Sequence, residues 1–71
     1  MQRKRELEHL AEAQRHVAKG RALIRQQIAI VRRQRQEEWP EVESIKLLRS
    51  LRISVELGRN HIQLIERELG R

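Results

Sequence analysis

Arg35-Gln36-Glu37-Glu38-Trp39-Pro40-Glu41-Val42-Glu43 is the stretch that decides the fold, because only here does an otherwise continuous helical pattern break. Pro40 has no backbone N–H and pushes the residue before it, Trp39, out of the α region. Proline also suits the first position of a new helix. Glu41 and Glu43 follow it, where the positive end of a helix favours acids. Arg32, Arg33 and Arg35 precede it, where the negative end favours cations. These signals predict one helix over about residues 5–37, a turn at about 38–40 and a second helix over about 40–69. Gly70 then stands as the C-terminal stop.

Working outward from the turn, each helix carries a coiled-coil seam. Leu10, Val17, Ile24 and Val31 recur every seven residues, and Ala13, Gly20, Gln27 and Gln34 interleave with them. In the second helix Leu48, Val55, Ile62 and Leu69 are interleaved by Ser44, Leu51, Gly58 and Ile65. Alternating spacings of three and four put both series on one face. A short turn makes the helices antiparallel. With the fold-back centred on Trp39, Gly20 is expected to face Gly58, Val17 to lie near Ile62, Ile24 near Leu51 and Val55, and Val31 near Leu48. A glycine inside a helix costs about 1 kcal/mol relative to alanine. Two at facing core positions therefore point to a close helix–helix contact at Gly20 and Gly58, or to a pocket that a partner side chain fills.

The apolar residues outnumber this seam. Leu23 and Ile30 flank it on one side of the first helix and Ile28 on the other. Leu47, Ile53, Leu57 and Leu64 lie off the seam of the second. A stripe that wide belongs to a helix with two neighbours. A chain of 71 residues without cysteine has no disulfide to compensate for a small core. The expected architecture is all-α: one hairpin that forms a four-helix bundle as a homodimer through Leu23, Ile30, Leu47, Ile53, Leu57 and Leu64. A trimer or a heteromer would satisfy the same pattern.

Charged residues make up 37% of the chain and aromatic residues 1%, which suits long helices better than a compact mixed domain. No apolar run is long enough for a membrane span. The basic N-terminal residues lead into no apolar stretch, so no secretory leader is expected. The absence of cysteine fits a cytoplasmic protein.

Three sets of residues are candidates for chemistry or recognition. His9 and His16 share a face, and the hairpin brings His61 near His16. Glu6 and His9 have the Glu-x-x-His spacing of di-iron bundles, but the second helix has no such motif. The histidines therefore read as amphipathic residues beside the seam, and neither metal nor other cofactor is expected. Gln27 and Gln34 sit at core positions. They either fix register or reach solvent from the seam's edge. Arg25, Arg32, Arg33, Arg35, Lys46, Arg49 and Arg52 fall in stretches that antiparallel pairing brings together, in a chain of net charge +6. They are candidate contacts for an acidic protein or a nucleic acid. The competing reading is a solvated helix face, because Trp39 is the only aromatic residue available to stack on a base. No cysteine, paired acid–base motif or glycine-rich phosphate loop suggests an enzyme.

The stretch His9-Leu10-Ala11-Glu12-Ala13-Gln14-Arg15-His16-Val17-Ala18-Lys19-Gly20 resembles a group of short, uncharacterised helical-hairpin proteins common in alpha-proteobacteria. The similarity continues through Leu23-Ile24-Arg25-Gln26-Gln27 and Leu47-Leu48-Arg49-Ser50-Leu51. It departs at Glu38-Trp39-Pro40-Glu41, where the group often has a Gly and Asp-Thr type connection. The resemblance implies a hairpin and no particular activity. The function expected is non-enzymatic, through protein–protein contacts, with nucleic-acid association by the arginine-rich faces as the alternative.

Overall fold

The computed structural model describes residues 2–70, with side chains from Arg3 onward. Met1 and Arg71, the ends of the single hairpin unit expected over the whole chain, lie outside the described residues. The chain forms α1 (Gln2–Gln36) and α2 (Val42–Glu68), which pack antiparallel as a rod of 55 × 15 × 14 Å. This is the all-α hairpin that the pattern calls for.

The seam is laid out as the heptads require. Leu10, Val17 and Val31 of α1 and Ile65 of α2 are 4–6% exposed. The remaining seam residues of both helices are buried or half-buried. Among the described residues only these four apolar side chains are buried, a small core for a chain of this length.

The turn differs from the expectation. α1 ends one residue early, because Glu38 takes a left-handed conformation (φ 57°). The Trp39 N–H then donates to the Gln34 carbonyl at 2.8 Å and the Glu38 N–H to the Arg35 carbonyl at 3.2 Å, capping the last turn. Pro40 is not the first helical residue. Glu41 is the N-cap and Val42 begins α2, so Pro40 serves as a rigid lead-in. Glu41 makes no side-chain cap. Its carboxylate instead accepts from Arg35 Nε at 2.8 Å, an ion pair that spans the turn. Trp39 is 54% exposed, more open than a residue folded over the hairpin end. At the far end Gly70 leaves α2 with φ 77°, its N–H donating to the Arg67 carbonyl.

Val17 and Ile62 line one groove between the helices and Val31 and Leu48 another, as expected, but the glycines pair differently. Gly20 does not face Gly58. Each glycine receives a valine from the opposite helix. A Cβ at Gly20 would stand 2.6 Å from Cγ2 of Val55, and one at Gly58 would stand 2.8 Å from Cγ2 of Val17. Valine in a helix is held to one χ1 rotamer, so neither methyl group can swing aside. The two glycines thus allow an approach that any side chain would obstruct.

Gln27 and Gln34 lie at the next two positions of the same series. Gln27 is 7% exposed, and its Nε2 donates to the Ser44 carbonyl at 2.9 Å, tying α1 to the first turn of α2. Gln34 is half-buried, with its Oε1 out of contact with solvent and without a hydrogen-bond partner.

Candidate interaction surfaces

With the seam in place, each helix offers two flanks. One holds the residues immediately before the first core series: His9, His16, Leu23 and Ile30 on α1, and Leu47, Ser54 and His61 on α2. The other holds the residues immediately after the second series: Gln14, Arg21, Ile28 and Arg35 on α1, and Ile45, Arg52, Arg59 and Glu66 on α2. Antiparallel packing brings like flanks together. His16, Leu23 and Ser54 line one shallow groove between the helices. Arg21 and Arg59 line another on the opposite side, as do Arg32, Arg35 and Arg52.

The two flanks differ in chemistry. All six residues expected at an oligomer interface are exposed, by 39–64%. Leu23, Ile30 and Leu47 lie on the first flank, and Leu57 and Leu64 lie on its outer shoulder, one residue before Gly58 and Ile65 of the seam. Ile53 does not join them, because its heptad position is on the outer back of α2. The charges of this flank and shoulder nearly cancel: Arg5, Lys19 and Arg33 against Glu12, Glu37, Glu43 and Glu68.

The second flank is basic. Arg25, Arg32 and Arg49 follow seam residues on its shoulder, and Arg35 and Arg52 stand beside the seam, so five of the seven candidate basic residues share this side. Arg33 belongs to the first flank and Lys46 to the outer back of α2. Both are paired with acids, Arg33 with Glu37 and Lys46 with Glu43, at 3.5 Å each. Arg35 is held by Glu41. Arg21 and Arg59 were not among the seven candidates, yet both line the groove on this side. Arg59 occupies the heptad slot of Arg52 one repeat later, a signal the sequence does carry. It pairs with Glu56 at 3.7 Å. Arg21, Arg25, Arg32, Arg49 and Arg52 are exposed and have no acid within 4.0 Å among the described residues.

His9, His16 and His61 do converge on one groove, with Glu12 beside them and Gly58 beneath. Among the described residues no three ligating side chains come close enough to hold a metal ion. Among the described residues no helix is long and apolar enough to cross a membrane.

No family model, curated protein or solved structure matches this chain.

Proposed function

We propose that this chain is a non-enzymatic, cytoplasmic helical module that works by associating with other helices, first with a second copy of itself. The observation that carries the proposal is the near-neutral apolar flank formed by Leu23, Ile30, Leu47, Leu57 and Leu64. Five large exposed apolar side chains on one side of a thin rod make up much of that side. Among the described residues, the core that would have to stabilise the hairpin alone contains only four buried apolar side chains. Burying the flank against another helical pair supplies the missing apolar contact. A second copy is the occupant favoured by charge. Like flanks meet across a two-fold axis, and this one carries nearly balanced charge, whereas the basic flank would repel its own copy. The resemblance to alpha-proteobacterial hairpins accords with the architecture and adds no activity to it.

Sedimentation or light scattering at micromolar concentration tests this directly. The intact protein is expected to run as a dimer. Leu57→Glu, on the flank's shoulder, is expected to raise the dissociation constant at least about tenfold, because a charge would be buried without a partner. Asn60→Glu adds the same charge at an exposed position on the outer back of α2 and is expected to leave assembly nearly unchanged. A cooperatively folded monomer at these concentrations refutes the proposal.

A further inference from the structure

We propose that the basic flank is a contact surface for the phosphate backbone of double-stranded DNA. Every hairpin carries this flank by itself, so the inference stands independently of self-association.

Along its centre the unpaired cations are arginines: Arg21, Arg25 and Arg32 on α1, and Arg49 and Arg52 on α2. Arginine keeps its charge at any physiological pH, and its planar fork matches two phosphate oxygens at once. Arg21 to Arg32 spans about 16 Å at 1.5 Å per residue, a length over which B-form DNA presents about ten phosphate charges. The α2 arginines form a second row. Neighbouring helix axes lie about 8–10 Å apart, and the side chains splay outward from them. The two rows therefore match phosphates on either side of a major groove about 12 Å wide. The A-form RNA major groove is too narrow for that arrangement.

What the flank lacks narrows the partner further. It has no aromatic side chain, and so no platform on which unpaired bases would stack. A partner helix would need apolar anchor points, but the large exposed apolar side chains on this side are Leu7 and Val42, at opposite ends of the hairpin. The centre offers charge with little exposed hydrophobic area. That suits a polyanion recognised through its backbone and independent of base sequence.

The test is fluorescence anisotropy of a labelled random-sequence DNA duplex of about 30 base pairs, titrated with the full chain from about 50 to 200 mM salt. Five arginine contacts predict a slope of about −4 to −5 for log K against log salt. Replacing Arg25 and Arg32 together by glutamine, a comparably good helix former, is expected to reduce the slope by about two and weaken binding about tenfold or more at the lowest salt. Arg33→Gln with Lys46→Gln removes the same charge away from the flank and is expected to leave the slope unchanged. Circular dichroism of each variant establishes that the helices persist. The proposal is overturned by no binding at the lowest salt, by equal losses from the two double variants, or by equal or tighter binding of duplex RNA or polyglutamate.

Discussion

The half of the hairpin far from the turn and the half beside it hold their helices together by different means. In the far half the interleaving core positions of α1 are small, Ala13 and Gly20, and contact is steric: Val55 seats on Gly20, and Val17 seats on Gly58. In the near half the same series continues as Gln27 and Gln34, and contact is polar, with Gln27 bonded to the Ser44 carbonyl. Leucine throughout would bury more apolar area but would accept many registers. Sliding α2 by one heptad would bring Leu48 or Ile62 to Gly20 in place of Val55, where a longer side chain meets the same close backbone. It would also break the Gln27–Ser44 bond. Register is thus specified twice, by shape at one end and by a hydrogen bond at the other.

The largest expected effect comes from filling the far half. Gly20→Ala increases helix propensity by about 1 kcal/mol. Overpacking against Val55 costs about 1–3 kcal/mol, so a net loss of up to about 2 kcal/mol is expected. The pairing is tested by a double-mutant cycle: in a Val55→Ala background the alanine at position 20 should become neutral or stabilising. A Val17→Ala background should give no such rescue. Denaturant midpoints at one fixed protein concentration provide the measurement, because association contributes to apparent stability. Stabilisation by Gly20→Ala in the parent chain would show that the far half is loosely packed and that its contrast with the near half is false.

The seam was legible in the sequence because alternating spacings of three and four survive any uncertainty about the turn. The path of the turn was not, because it depends on a single dihedral angle. Nothing in the chemistry of Glu38 announces φ > 0, and Trp39-Pro40 is the stronger local signal for a reversal. The flanks were legible only in part. Arg32 and Arg33 are adjacent in sequence and look like one basic run, yet a rotation of about 100° per residue sends them to opposite flanks. The roles of the glutamines depended on depth. Two residues in equivalent heptad slots differ in burial and in partner, and spacing carries neither property.

Within the near half, one substitution should have opposite signs at the two glutamines. Gln27→Met removes a hydrogen bond and keeps the side-chain volume, a loss of about 0.5–1.5 kcal/mol. Gln34→Met removes a buried acceptor that has no partner. Such a group is destabilising by about 1–3 kcal/mol when fully buried. Gln34 is only half-buried, so a gain near 1 kcal/mol is expected. Thermal and denaturant unfolding of the two variants under identical conditions tests the contrast. Shifts of the same sign would mean that Gln27 and Gln34 are not distinguished by their partners, and that the near half is simply a wet edge of the seam.

The smallest effect is expected at the turn, which sets where both halves begin. Glu38 holds a left-handed conformation that is unfavourable by about 1–2 kcal/mol for a residue with a Cβ. Its N–H and that of Trp39 close the cap on α1, so the conformation cannot relax without losing those two bonds. Glu38→Gly removes the steric penalty. Glycine also has more backbone freedom to lose on folding, which offsets part of the benefit. A net stabilisation of somewhat under about 1 kcal/mol follows, with the register unchanged because the backbone path is the same. The cycle between Gly20 and Val55 should therefore return the same coupling in the Glu38→Gly background. If glycine at position 38 destabilises the chain, the left-handed turn is not where the helix reverses. The path from α1 into α2 would then have to be redrawn.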